Sequence, residues 1–118
     1  MNSGAADFAV LARHLTEAQR ALQAVAGDRS MCAIGRSGRS FPAAKYHEGA
    51  VSALADVRRL VRQRQTQGSA VDVASVTRRV ADTWRGRAES PVATGVDWRA
   101  YLAGGVEALA ALVAALPR

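Results

Sequence analysis

The chain has 118 residues, enough for one domain with one hydrophobic core, and its apolar fraction of 49% excludes a disordered tail. A single cysteine, Cys32, excludes an internal disulfide, and with only two histidines beside it the soft ligands are too few for a structural zinc site. Sixteen basic residues against ten acidic give a net charge of +6, which points to an anionic partner such as nucleic acid or a membrane surface.

The charge is uneven along the chain. Residues 1–30 are neutral, residues 31–68 carry seven basic and two acidic groups, residues 69–87 carry four and two, and residues 88–118 carry two and three. Fifteen of the sixteen basic residues are arginine, alongside 26 alanines, a usage that high-GC coding in bacteria also produces. The arginine excess therefore has a compositional as well as a functional reading.

The first predicted helix spans about residues 3–26. Phe8, Leu11, Leu15, Ala18, Leu22 and Val25 follow one another at alternating spacings of three and four, a single apolar stripe. Ser3 suits an N-cap, Asp7 lies near the positive end of the helix dipole, and Gly27 is a natural stop. The first basic residue is Arg13, with Asp7 where a positive leader region belongs, so no signal peptide is read and a cytoplasmic location is expected.

A long loop follows, from Gly27 to about Phe41. It contains an apolar island, Met31 to Ile34, and then Gly35-Arg36-Ser37-Gly38-Arg39-Ser40, a tripeptide written twice. Two glycines permit backbone N–H groups to converge on an anion, and Arg36 and Arg39 supply guanidinium forks for a phosphate. The pattern is not a phosphate-binding P-loop, because no Gly-Lys-Ser/Thr follows it. A solvated connection is the plain alternative. Cys32 has no signature of a catalytic thiolate around it and reads as a buried, inert side chain.

The second predicted helix spans 42–67, opened by Pro42 and closed by Gly68. Its apolar face is Tyr46, Ala50, Ala53, Leu54, Val57, Leu60 and Val61. Tyr46-His47-Glu48 resembles a reactive cluster in one dimension. Consecutive helical residues point about 100° apart, however, and Ala50 and Val51 occupy the places a second metal ligand would need. The third predicted helix spans 70–87, with Val73, Val76, Val80 and Trp84 on one side. Its β-branched content makes a strand the competing reading, and the 3, 4, 4 spacing decides for helix.

Arg58, Arg59, Arg62 and Arg64 lie on the second helix, and Arg78 and Arg79 on the third. Gly68 is ten residues from both Arg58 and Arg78, so a helical hairpin turning there is expected to bring these groups to one level as a positive patch for phosphates. A helix-turn-helix reader does not fit, since Arg64 and Gln63 fall where a small and an apolar residue belong. No paired carboxylates, Ser-His-Asp set or glycine-rich nucleotide fingerprint is present. Neither a catalytic site, a metal nor a cofactor is expected.

The fourth predicted helix spans 97–116, with Asp97 as N-cap and Pro117 after its end. From Ala100 to Leu116 the only charge is Glu107, but 17 residues fall short of the roughly 20 that cross a bilayer, so a buried helix is expected and no membrane partner. Trp98, Leu102, Gly105, Leu109, Leu112 and Leu116 form its stripe, and its other side is mostly alanine. Such a helix is either central in the bundle or pressed against a second copy, with Trp98, Leu102, Leu109 and Leu112 as the expected interface.

The fold expected is all-α, an antiparallel four-helix bundle of a single domain. The function expected is a small non-enzymatic binding protein holding an anionic partner, nucleic acid foremost, through Arg36, Arg39 and the arginines of the middle hairpin. The alternative is a homodimer, or an interaction subunit or stoichiometric regulator of another protein, associating through the alanine-rich C-terminal helix.

Overall fold

The computed structural model describes residues 3–27 and 41–117. Four helices make up its regular structure: α1 Ser3–Ala26, α2 Pro42–Thr66, α3 Val73–Glu89 and α4 Val96–Ala115. No strand occurs among the described residues. The long loop with its GRSGRS stretch lies at residues 28–40, outside them.

On α1 the middle of the stripe does the packing. Leu11 and Leu15 are buried, with Phe8 and Ala18 partly buried against the same core. Gly27 ends the helix at φ +60°, a left-handed position that glycine fills without strain, and its N–H donates to the Gln23 carbonyl at 2.9 Å. α2 opens at Pro42, whose missing N–H is no loss in a first helical turn. It closes on Gly68 at φ +76°, where the N–H groups of Gly68 and Ser69 donate to the Gln65 and Arg64 carbonyls.

The third segment is a helix despite its valines and threonines. Val73, Val76, Val80 and Trp84 are all buried, and so is Thr77. The burial of this face outweighs the few tenths of a kcal/mol per residue that β-branching costs a helix. The Thr77 hydroxyl donates to the Val73 carbonyl at 2.7 Å, so the buried oxygen is satisfied. The helix begins at Val73, later than expected at residue 70, with Asp72 in the cap position.

α4 begins one residue earlier than expected. Gly95 at φ +89° is its N-cap, so Asp97 stands inside the first turn. There its carboxylate accepts the backbone N–H of Phe41 at 3.2 Å, tying the start of α4 to the start of α2. None of the described helices is long and apolar enough to cross a membrane.

The most extensive pairing is between α2 and α4. Two glycines make it possible. A Cβ on Gly49 would strike the Tyr101 backbone carbonyl, and a Cβ on Gly104 would strike that of Tyr46. Gly105 in turn lies under the ring of Trp84. α1 leans on α2, α3 packs chiefly on α4, and the sequence neighbours α2 and α3 touch less. The bundle is thus built around the α2–α4 pair, with α1 on α2 and α3 chiefly on α4. Leu102, Leu109 and Leu112 are each no more than 1% exposed. Each gains about 1.5–3 kcal/mol from that burial within a single chain. The expected assignment of these three leucines to an oligomer interface is therefore corrected: they belong to the chain's own core. Of the four expected interface residues only Trp98 reaches the surface, at 42% exposed.

Candidate binding surface

The arginines of α2 and α3 divide among several surfaces. Arg58 and Arg62 border a recess of about 200 Å³ together with Phe8, Leu11, Val61 and Gln65, on the side where α1 meets α2. Arg78 borders a different recess, of about 330 Å³, between α3 and α4, together with Arg85. Arg79 and Arg59 are exposed, and Arg64 is half-buried near the end of α2. Arg36 and Arg39 fall outside the described residues.

Local ion pairs neutralise only part of this charge. Lys45 pairs with Glu48 at 3.2 Å, Arg59 with Asp56 at 3.4 Å, and Arg85 with Asp82. All three are between residues three apart on one helix and at least partly exposed, so each stabilises the fold by at most a few tenths of a kcal/mol. Arg58, Arg62, Arg64, Arg78 and Arg79 form no ion pair among the described residues.

A second group gathers where α3 ends and α4 begins. The ring of Trp98 stacks on Tyr101 with centroids 5.3 Å apart and planes 10° from parallel. Tyr101 meets Trp84 at 5.4 Å. The Arg87 guanidinium lies 4.9 Å from the centre of Trp84 and 5.4 Å from that of Trp98, a cation–π arrangement that spans both helices. Beneath this cluster the indole N–H of Trp84 donates to Asp56 Oδ2 at 3.1 Å. Asp56 thus serves two cationic or donor groups, Arg59 outside and Trp84 inside. Lys45, Glu48 and Asp97 line a shallow recess beside Trp98.

Spacing along the sequence already contained part of what was missed. Arg85 is seven residues after Arg78 and hence on the same helical face, but only the packing of α4 turns that face into the side of a recess. The role of Arg87 depends on Trp98 arriving from another helix, which no local pattern announces.

Cys32 lies outside the described residues. His47 meets Tyr46 edge-on, ring centroids 5.3 Å apart. Among the described residues no group of three His, Cys, Asp or Glu side chains is placed to hold a metal ion. The Tyr46 hydroxyl is pushed above the ordinary tyrosine range, first by burial and then by the hydrogen bond and charge of Glu107 on α4. A tyrosine held protonated in this way locks two helices together and is the opposite of an activated phenolate. On α1, Asp7 is buried, and its Oδ1 has no hydrogen-bond partner among the described residues.

No protein-family model matches this chain, and neither a curated protein nor a solved structure matches it.

Proposed function

We propose that the chain is a small, non-enzymatic binding protein whose arginine-bearing α2 and α3 contact a polyanion, nucleic acid foremost, in the cytoplasm. One observation carries this reading: Arg58, Arg62, Arg64, Arg78 and Arg79 form no ion pair among the described residues, while Glu48, Asp56 and Asp82 are engaged with Lys45, Arg59 and Arg85. Guanidinium groups left in this state are available to phosphate oxygens, which they bind bidentately.

The contacts are with backbone phosphates and carry little sequence preference, since the residues around Gly68 do not fit a helix-turn-helix reader. We read helices that follow one another in sequence as antiparallel, so that α2 and α4, whose N-terminal ends meet at Phe41 and Asp97, run in the same direction. From Trp84 to Arg87 along α3, the neighbours on α4 retreat from Gly105 and Tyr101 to Trp98, which supports the antiparallel direction for α3 and α4. Arg58 and Arg62 then project along one flank of the bundle and Arg78 along another, so a bound polyanion wraps the molecule rather than resting on one patch.

The test is purification of the full chain at moderate salt, followed by its absorbance ratio at 260 and 280 nm. Nucleic acid that co-purifies and is stripped by high salt is the expected result. A chain that stays free of nucleic acid and fails to retain an added oligonucleotide at low salt contradicts the proposal.

A further inference from the structure

On the α3–α4 side of the molecule two recesses adjoin at Val106 and together outline a groove. One end is the recess bordered by Arg78, Asp82 and Arg85 of α3 and by Val106, Ala110 and Val113 of α4. A second recess, of about 350 Å³, continues it through the shared Val106 towards Ala103, Ala88 and Arg99. From Arg99 to Val113 the groove follows α4 for fourteen residues, about 21 Å at 1.5 Å per residue. That is the length of a four-turn helix.

The chemistry of the groove is asymmetric between floor and rim. The floor is apolar and shallow in side-chain size, with Val106 half-buried and Ala103 and Ala110 exposed. The rim is cationic at its two ends. Arg78 and Arg99 form no ion pair among the described residues, while Arg85 is held by Asp82 and Glu107 lies between the ends. Alanines on the floor allow another helix backbone to approach closely, within the 8–10 Å typical of packed helices.

We propose that this groove docks an amphipathic, acidic helix of a partner protein. Its apolar face sits on Val106 and the alanines on either side, and its carboxylates reach Arg78 at one end and Arg99 at the other. This is recognition of a helix in a groove, with charge holding its two ends and apolar contact supplying most of the affinity. The inference does not rest on the polyanion reading, because a polyanion has no use for the apolar floor.

The probe is a synthetic, fluorescein-labelled 18-residue helix with leucines at i, i+4, i+7 and i+11 and glutamates flanking them. A second peptide keeps every glutamate and replaces each leucine by serine. Both are titrated with the full chain by fluorescence anisotropy at 0.15 and 0.5 M NaCl. The first peptide is expected to bind saturably at both salt concentrations, and the serine peptide at least about tenfold more weakly. The exposed alanines are then changed in an Ala103→Gln/Ala110→Gln variant, which fills the groove without adding charge. It is expected to lose at least about tenfold in affinity for the leucine peptide and to bind an oligonucleotide as the parent does. Ala111→Gln, on α4 but outside the groove lining, is expected to leave both unchanged.

Several results overturn the proposal. They are equal binding of the two peptides, no saturable binding of the leucine peptide, an unchanged affinity in the double variant, or an equal loss in Ala111→Gln. A homodimer that light scattering shows to dissociate in the double variant also overturns it, because the groove is then filled by a second copy. A parent chain that binds the leucine peptide but no oligonucleotide contradicts only the polyanion reading.

Discussion

Gly49 of α2 lies directly against the backbone carbonyl of Tyr101 of α4, and Gly104 of α4 stands in the reciprocal relation to Tyr46 of α2. A methyl group at either position meets backbone, which has no rotamer by which to yield, so the two helices must separate. Ala53 and Leu54 on α2 and Leu102 and Leu109 on α4 then lose packing together. Gly49→Ala and Gly104→Ala are each expected to lower stability by about 1–3 kcal/mol or more, and this overcomes the roughly 1 kcal/mol that alanine gains over glycine as a helix former. Urea unfolding followed by circular dichroism measures both. Gly86 is the control. It lies within α3, a Cβ there meets nothing, and Gly86→Ala is expected to raise stability by about 1 kcal/mol.

The two tryptophans occupy opposite environments and are expected to respond differently to truncation. Trp84 is buried, anchored by Asp56 and packed on Gly105. Trp84→Ala is expected to cost about 3–5 kcal/mol, close to the whole stability of a small domain. Trp98 contributes one stacked face to Tyr101, and Trp98→Ala is expected to cost about 1 kcal/mol. Equal losses in the two variants, read as urea midpoints, contradict the burial assigned to Trp84.

Tyr46 gives the fold an alkaline limit. Its folded-state pKa is raised above the ordinary value, so the folded chain holds the phenolic proton more tightly than the unfolded chain does. This contribution is fully present below about pH 10 and is lost as pH rises through the folded pKa. Tyr46→Phe removes the titrating group, so its stability is expected to fall less between pH 9 and pH 11 than that of the parent. Glu107→Gln removes the charge beside the hydroxyl and is expected to bring the Tyr46 titration, followed by absorbance at 295 nm, back towards the ordinary range. A Tyr46→Phe chain with the same alkaline profile as the parent rules this account out.

The start of α4 rests on a left-handed glycine. Gly95 sits at φ +89°, and any L side chain there is strained even though the space around it is open. Gly95→Ala is expected to destabilise by about 1–2 kcal/mol. It also disturbs the contact between Asp97 and the Phe41 N–H, so amide exchange at Phe41 is expected to accelerate. Unchanged exchange there contradicts the coupling between the two helix starts.

Much of this architecture is legible in the residues. The alternating three- and four-residue spacing from Phe8 to Val25 finds α1, and Pro42 with Gly68 brackets α2, because these residues act through local geometry alone. α4 is harder. It is apolar nearly all round, so periodicity cannot say which side faces inward, and Leu102, Leu109 and Leu112 read equally well as core or as interface. Gly49 and Gly104 carry no local signal of helix contact, since a helical glycine has many uses. The arginines are placed correctly on their helices by spacing. Which of them face α1, and which face α4, depends on how whole helices pack, and that is not encoded in any short window.

Arg58, Arg62, Arg64, Arg78 and Arg79, which form no ion pair among the described residues, are proposed to bind phosphates. The most direct measurement of this claim is the salt dependence of binding to a 20-base-pair DNA duplex, for the parent chain and for Arg62→Ala/Arg78→Ala/Arg79→Ala. A straight line of log affinity against log salt is expected, with a slope of about 0.9 per phosphate neutralised, and the triple variant is expected to lower that slope by about 2–3. An affinity that does not change with salt, or a triple variant with the parent's slope and affinity, contradicts the claim.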